Sequence, residues 1–243
     1  TLHPLLTHPS GLGDYFGPEF GRKKSSIRKL EDYYEFFARQ PLRFEPGAQW
    51  AYSNAGMHVA GLIVERVSGM SYDTYLRKHI FEPAGMASTG NHSVDEAVPG
   101  LATGYTRFNT PDVLQIEPPR QSNLATLPPR GGPAGGGSST LADLHRFAQA
   151  LLARRLLGAK HTALLTGGKV DIPMAPGARY AYGFEEMIIA GQRAIGHSGG
   201  APGMNAILRI FPDSGLTVIV LSNYDPPFAQ MFGQRAAELM ARP

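Results

Sequence analysis

The sequence predicts an α+β fold, and three observations carry that prediction. Apolar residues recur at helical spacing in several stretches before Tyr180, β-rich runs follow it, and a last helical pattern runs from Phe228 to Met240. Helices followed by strands that short turns connect are typical of an antiparallel sheet packed against helices. We therefore expect a single domain over residues 1–243. A mainly helical lobe with long loops would cover 1–179, and the sheet with its C-terminal helix 180–243.

Helical periodicity and breaking residues place the elements of the first lobe. Prolines and glycines interrupt residues 1–25, which predicts a loop. Residues 83–137 are rich in Gly, Pro, Asn and Thr, which predicts long loops with short strands. Helices are expected in four places: from Ile27 to Pro41 with a cap at Ser25 or Ser26, from Met57 to a stop at Gly69 as a core helix, from Ser71 to just before Pro83, and from Leu141 behind a capping box of Thr140 and Asp143.

Three runs near the C-terminus have strand composition. They cover 183–190, 204–211 and 216–222, and the Pro-Asp-Ser-Gly sequence at 212–215 predicts a tight turn between the last two. Residues 216–221 are apolar on both faces apart from Thr217. We therefore expect helices on both sides of that strand.

Composition excludes several classes of function. The net charge is only +3, and the one basic cluster at 22–24 is short, so nucleic acid is not an expected partner. The absence of cysteine excludes disulfides, thiolate metal sites and a cysteine nucleophile. Eight scattered histidines without an H-E-x-x-H motif predict no metal site, and no cofactor is expected. No apolar run reaches the ~20 residues that span a bilayer.

The residues that could take part in catalysis lie in two stretches of the sequence. In the first, a Pro-Gly turn leads to Tyr52 and Asn54 directly before the predicted core helix, so both polar tips can face one cleft. A phenol there can act as a general base if cationic neighbours lower its pKa from ~10. Asn54 can donate to and accept from an amide or ester. The alternative that Tyr52 is a packed aromatic and Asn54 a helix cap stays open from these residues alone.

The second stretch is Gly-His-Ser-Gly-Gly at 196–200. We expect His197 and Ser198 at the start of a strand whose glycines, Gly199 and Gly200, let a substrate backbone approach and leave an N–H free for an oxyanion. The stretch also fits the G-x-S-x-G pattern of an α/β-hydrolase nucleophile elbow. That interpretation fails, because no histidine follows His197 and because strands, not a helix, follow Ser198.

Five segments in order resemble the serine β-lactamase and penicillin-recognising family, in its branch of class C β-lactamases, D-alanyl-D-alanine carboxypeptidases and related esterases. They are residues 5–12 (LLTHPSGL), 44–54 (FEPGAQWAYSN), 83–89 (PAGMAST), 135–144 (GGGSSTLADL) and 196–203 (GHSGGAPG). The resemblance covers nearly the whole chain. It implies a β-lactamase/transpeptidase-like fold and acyl transfer through a serine ester, with no cofactor.

The resemblance also implies roles for the candidate residues. Tyr52 would be the general acid/base, and Asn54 would contact a substrate amide. His197 would stand where the family has the lysine of its "KTG" motif, with Ser198 at the hydroxyl position and Gly200 supplying the oxyanion N–H. Since neutral histidine replaces a fixed cation, we expect an esterase or peptidase rather than a specialised β-lactamase.

The family's S-x-x-K nucleophile motif lies upstream of the segment that is matched here by residues 5–12. In this chain the motif occurs only at 26–29, in a charged stretch, where a serine that caps a surface helix is expected. We therefore expect the nucleophile, its lysine and two strands to be contributed from upstream, in the same or a separate piece. An inactive scaffold or binding protein is the alternative. The compartment stays open: periplasmic or secreted if that segment carries a signal, otherwise cytoplasmic.

Overall fold

The structure, a computed structural model, describes residues 1–110, 113–114 and 119–242. Its eight α-helices in the described part are α1 (Leu2–Thr7), α2 (Pro18–Lys23), α3 (Asn54–Ser68), α4 (Tyr72–Leu76), α5 (Glu82–Ala84), α6 (Leu141–Leu152), α7 (Ala159–Thr166) and α8 (Phe228–Met240). Short strands β1 (Tyr105–Thr106), β2 (Phe108–Thr110), β3 (Val113–Leu114) and β4 (Gln121–Ser122) form two small ladders. The main sheet comprises β5 (Val170–Asp171), β6 (Arg179–Tyr180), β7 (Glu185–Ile189), β8 (Gln192–Ala201), β9 (Met204–Ile210) and β10 (Thr217–Ser222).

The main sheet is antiparallel throughout, in the order β10-β9-β8-β7-β6-β5. This confirms the predicted α+β class. Adjacent residues of β8 show that helices cover both faces. Ala194 packs in one cluster with Ala237 of α8, and Ile195 packs in another with Leu151 of α6. Since neighbouring strand residues point to opposite faces, α8 and α6 lie on opposite sides of the sheet. Both helices contact β10, as its apolar sequence predicts.

The predicted helices of the first lobe are found with shifted ends. Helix α3 begins at Asn54 because Ser53 caps it, and it ends at Gly69 as predicted, with Gly69 in the left-handed conformation (φ 69°). A 3₁₀ helix, Leu30–Phe36, replaces the longer predicted helix from Ile27. Its N-cap is Lys29 rather than a serine, because the Asp32 carboxylate accepts hydrogen bonds from the Arg28 and Lys29 N–H groups.

Several predictions about element boundaries are wrong. Residues 1–25 contain α1 and α2, which proline and glycine hide from periodicity. The helix that begins behind Ser71 does not end before Pro83, because a π-helical turn, Arg77–Phe81, continues it into α5. There Pro83 occupies the first turn, where its missing N–H is tolerated. Residues 83–137 are largely loop with short strands, as predicted, although 111–112 and 115–118 lie outside the described residues.

The largest correction concerns β8. His197 and Ser198 do not stand at the start of a strand but inside a strand of 10 residues. The three glycines of 196–200 have low strand propensity and therefore hide it in the sequence. The turn at 212–215 is present as predicted: Phe211 N donates to Leu216 O at 2.8 Å, and Gly215 has φ 74°. In the described part of the chain, no helix is long and apolar enough to cross a bilayer.

Candidate active site

The turn that carries Tyr52 is anchored by the buried residue after it. Ser53 accepts a hydrogen bond from the Gly56 N–H at 3.1 Å, which caps α3, and its hydroxyl donates to Gly13 O at 3.0 Å. Two segments distant in sequence are therefore fixed to each other at this point. Tyr52 and Asn54 project from a rigid turn on either side of Ser53.

Asn54 is held by a carboxylate. Its backbone N–H and its Nδ2 donate to Asp14 Oδ2 at 3.2 and 2.8 Å. Asn54 is the first residue of α3 and not its cap, which is Ser53, so the expected capping role is wrong. Its role as a contact for a substrate amide stays a prediction, since its NH₂ group already serves Asp14.

His8 packs beneath Tyr52, and sequence reasoning did not single it out. Its ring centroid lies 4.1 Å from that of Tyr52, and its Nδ1 accepts a hydrogen bond from the Ser53 N–H at 3.2 Å. Burial, and secondarily the charge of His197, lowers the pKa of His8 to about 3. The ring is therefore neutral with its proton on Nε2, and this buried N–H has no hydrogen-bond partner.

Tyr52 and His197 lie close together. Their ring centroids are 6.2 Å apart, although 145 residues separate them in sequence (197 minus 52). Tyr180 lies close to both rings: its hydroxyl lies 3.0 Å from His197 Nε2, and its ring centroid is 6.3 Å from that of Tyr52. Tyr180 is a second residue that the sequence did not reveal.

The hydrogen bonds of His197 define its tautomer. Its Nδ1 lies 2.6 Å from the backbone oxygen of Ser198, and a carbonyl only accepts. Nδ1 therefore carries a proton, and in the neutral ring Nε2 accepts from the Tyr180 hydroxyl. The imidazole acceptor is therefore used by Tyr180.

The pKa of Tyr52 is shifted in the direction opposite to the one that a general base at neutral pH requires. Burial raises the pKa of Tyr52, the neighbouring Tyr180 hydroxyl lowers it, and the charges of Glu185 and Asp14 raise it. The net shift is upward, and these causes include no cation. Within the described residues, Tyr52 is therefore a protonated phenol at neutral pH. A cation from elsewhere would be needed to make it a base.

One edge of β8 is open beside the candidate residues. Strand β7 pairs with β8 only as far as Gly196, which faces Glu185, whereas β9 pairs with β8 to Ala201. Residues 197–201 thus lack a strand partner on the β7 side in the described part of the chain. A side chain at Gly199 would meet nothing within 4 Å, but one at Gly200 would meet the Pro226 side chain at 2.9 Å. The open approach is therefore at Gly199, while Gly200 makes room for Pro226.

A cavity of ≈ 730 Å³ adjoins this cluster. Tyr52 and Ser198 line it together with Trp50 and Tyr180, whereas His197, Asn54, Gly199 and Gly200 do not. Sequence reasoning missed Trp50, although it stands two residues before Tyr52. The cavity is also lined by Arg209 and Glu185, which form an ion pair with 2.9 Å between Nη2 and Oε2. Among the described residues no cluster of His, Asp and Glu could hold a metal ion.

The only S-x-x-K sequence takes no part in this site. The Ser26 hydroxyl donates to Lys23 O at 2.7 Å on the exposed surface, and Lys29 pairs with Glu31. Neither Ser26 nor Lys29 lines the cavity.

A profile of the beta-lactamase family matches residues 1–241. The chain belongs to the beta-lactamase family. Penicillin-binding protein 4* of Bacillus subtilis (strain 168) is 30% identical over 236 residues, which cover 92% of this chain and 51% of that protein. The chain spans about half the length of this relative and of the putative penicillin-binding protein PbpX from the same strain.

Solved structures of beta-lactamase-like proteins share the fold. A penicillin-binding protein from Bacillus halodurans superimposes with a TM-score of 0.87 at 30% identity, over 99% of this chain and 72% of the other. A D-stereospecific amidohydrolase from Streptomyces sp. gives a TM-score of 0.82 at 26% identity, over 100% of this chain and 73% of the other. The fold and family expected from the five matched segments are thereby confirmed.

Proposed function

We propose that this chain provides the proton-transfer and substrate-binding part of a serine hydrolase that acts through an acyl-enzyme on an ester, peptide or β-lactam carbonyl. One observation carries the proposal. Tyr52 and His197, predicted from separate segments to face one cleft, have ring centroids 6.2 Å apart beside a cavity that Tyr52 and Ser198 line. Convergent titratable groups at a cavity of this size are typical of a catalytic site.

Tyr52 is the proposed general acid/base. Its phenol would pass a proton between the nucleophile and the leaving group, and the rings of Tyr180 and His197 would pack beside it. The raised pKa of Tyr52 means that a nearby cation is required before it can accept a proton at neutral pH. The lysine of an S-x-x-K motif would supply that cation.

The open edge of β8 is the proposed substrate-binding strand. A substrate backbone can lie along residues 197–201, where β7 no longer pairs. A backbone N–H at this edge would stabilise the oxyanion. Ser198 would offer its hydroxyl to the substrate from the cavity side, and Asn54 would contact a substrate amide through its carbonyl oxygen.

The nucleophilic serine and its lysine are proposed to belong to polypeptide other than these 243 residues. Ser26 and Ser53 are poor candidates, because their hydroxyls donate to Lys23 O and Gly13 O. The docking place would be β10, the edge strand of the described sheet, next to α8, which exposes Phe228 and Phe232.

Esters and peptides are the proposed substrates ahead of β-lactams. His197 replaces a permanently charged lysine, so the site binds a substrate carboxylate less strongly. The similar structure from Streptomyces sp. is that of a D-stereospecific amidohydrolase, and this similarity supports an amide substrate.

The test is covalent labelling of the complete translated product with a fluorophosphonate and with a fluorescent penicillin. Mass spectrometry of the digested product locates the adduct. We expect an adduct on a serine outside the 243 residues. An adduct on Ser198, or none with either reagent, would contradict the proposal, and the absence of any adduct would leave a binding or scaffold protein that uses the same cavity.

A further inference from the structure

His8 has a backbone conformation that is unusual for its residue type. It ends α1 in the left-handed region, with φ 75° and ψ 4°, and it is 0% exposed. A residue other than glycine adopts this conformation at a cost in free energy, and residues of this kind cluster at functional sites. The costly conformation is found here at the residue that contacts the turn of Tyr52.

His8 holds the chain on both sides of Tyr52. Its carbonyl oxygen accepts a hydrogen bond from the Ala51 N–H at 3.2 Å, and its Nδ1 accepts one from the Ser53 N–H at 3.2 Å. Because burial lowers the pKa of His8 to about 3, Nδ1 stays unprotonated and remains an acceptor at neutral pH. The backbone before and after Tyr52 is therefore fixed by one residue.

The ring of His8 also contacts the side chain of Tyr52. The two ring centroids are 4.1 Å apart, and the His8 ring lies 4.4 Å from that of Tyr180 and 5.7 Å from that of Trp50. Its Nε2 is buried without a hydrogen-bond partner, so a bond at this atom does not explain the histidine. Its Nδ1 acceptor and its flat ring do, and both act on the Tyr52 turn.

We propose that His8 is a positioning residue, which holds the Tyr52 phenol in one orientation by two backbone hydrogen bonds and by ring contact. A general acid/base acts only within hydrogen-bond reach of the reacting atoms, and a small displacement lowers the rate. His8 acts through Tyr52 and transfers no proton itself. The inference rests on the proposed function of Tyr52 for its catalytic meaning.

A double-mutant cycle separates positioning from a merely structural role. The complete translated product is labelled with a fluorophosphonate as His8→Phe, as Tyr52→Phe and as the double variant. Phenylalanine retains a ring but offers no acceptor to the Ser53 N–H. We expect His8→Phe to slow labelling about tenfold in the parent but less than about twofold in Tyr52→Phe, because the position of residue 52 matters only while it carries the hydroxyl. Equal slowing in both backgrounds would overturn the inference.

A second variant tests the ring contact alone. His8→Asn retains an acceptor near the place of Nδ1, and asparagine tolerates the left-handed backbone. It should slow labelling only about threefold in the parent and leave the rate of Tyr52→Phe unchanged. Both His8 variants are first shown by thermal unfolding to be folded. A labelling rate that neither variant changes would overturn the inference.

Hydrogen exchange measures the hold on the turn without any nucleophile. Amide exchange of the complete product is followed by mass spectrometry in the peptide that contains residues 51–53. We expect His8→Phe to speed exchange at the Ser53 N–H about tenfold and to leave exchange in α6 unchanged, whereas His8→Asn should stay within about threefold of the parent. Unchanged exchange in His8→Phe would contradict the proposed hold.

The matched control is His58→Phe. His58 is also a buried histidine with an unpartnered ring nitrogen, but its ring stacks on Tyr33. This variant should label at the parent rate and leave exchange at 51–53 unchanged, and slowing equal to that of His8→Phe would overturn the inference. If no protein forms an adduct, the hydrolase is rejected and the catalytic role of His8 with it, and exchange alone reports whether His8 fixes the turn. An adduct that forms equally fast in the parent and in His8→Phe rejects the positioning role and retains the hydrolase.

Discussion

Two buried histidines, His8 and His58, make the folding stability of this molecule depend on pH. Burial lowers the pKa of His58 to about 4 and that of His8 to about 3, both from 6.5. The His58 ring stacks on Tyr33 at 4.0 Å between centroids, and its Nδ1 has no partner. Protonation of either ring would place a charge in an aromatic cluster. Each histidine therefore favours the folded state only while it is neutral.

This predicts a loss of stability in mild acid. The unfolded chain binds these protons below pH 6.5, whereas the folded chain binds them only near pH 3 to 4. The contribution is therefore complete above pH 6.5 and lost as the pH falls towards the folded pKa values. At pH 5 the loss amounts to about 2 kcal/mol per histidine. Urea unfolding of His58→Phe at pH 7.5 and 5.0 should show a difference between the two pH values about 2 kcal/mol smaller than in the parent chain.

The control for this prediction is His145→Gln, because His145 is exposed on α6. It should unfold with the same pH dependence as the parent. A pH dependence of His58→Phe equal to that of the parent would show that His58 is not neutral by burial.

Among the elements, α6 depends on a buried carboxylate that reaches a loop. Asp143 accepts hydrogen bonds from Ser88 N at 2.7 Å, Thr89 Oγ1 at 2.8 Å and Arg146 Nη1 at 2.7 Å. Burial opposes its charge, but these three bonds outweigh it and hold the pKa of Asp143 below the usual range. Thr140 caps α6 as predicted, whereas Asp143 bonds to the loop at 88–89 instead of closing a capping box. Asp143 thus joins α6 to the loop at 88–89.

We expect Asp143→Asn to cost about 2–4 kcal/mol of unfolding free energy, since the amide loses the charge and turns a donor towards donors. Urea denaturation at pH 7.5 measures this difference. Asp213→Asn, in the exposed turn at 212–215, is the matched control and should stay within about 0.5 kcal/mol of the parent. A small effect of the Asp143 change would mean that loop and helix are held together by apolar contacts alone.

At the scale of the whole molecule, one side of the sheet carries an open strand and an apolar helix face. Strand β10 is the edge of the described sheet, and α8 packs on that sheet through Ala229, Gly233 and Ala237. The opposite face of α8 exposes Phe228 and Phe232, the latter 69% exposed. An unpaired apolar edge beside an apolar surface favours association with other chains.

We therefore predict that the 243-residue chain self-associates in solution. Phe232→Glu should shift it towards monomer, as measured by sedimentation velocity over a range of concentrations. Val67→Glu places the same charge on another exposed apolar residue, on α3, and should leave association unchanged. A monomeric parent chain at all concentrations would contradict the prediction.

Local sequence signals predict the helices and strands whose apolar residues follow a regular spacing or that end at a clear turn. The apolar run after Asn54 and the stop at Gly69 define α3, and the turn at 212–215 defines the hairpin of β9 and β10. Strand β8 was hidden because glycine has a low strand propensity, and α1 because it is only 6 residues long and ends at His8 in a left-handed conformation.

Residues of the site could be predicted only where they belong to a recognisable sequence motif. The matched segments brought Tyr52 and His197 together, but no local pattern reveals that Tyr180 bonds to His197 or that His8 stacks on Tyr52. Such contacts arise from long-range packing, which periodicity does not encode. The upward pKa shift of Tyr52 also depends on burial and on Glu185 and Asp14, which sequence spacing does not place near it.

The rate of fluorophosphonate labelling measures whether Tyr52 serves a serine that other polypeptide contributes. The complete translated product is compared with its Tyr52→Phe variant and with Tyr34→Phe, a control at an exposed tyrosine. We predict an adduct on a serine outside the 243 residues that forms at least about 100-fold more slowly in Tyr52→Phe and at the parent rate in Tyr34→Phe. An unchanged rate in Tyr52→Phe, or an adduct within the 243 residues, would contradict the account.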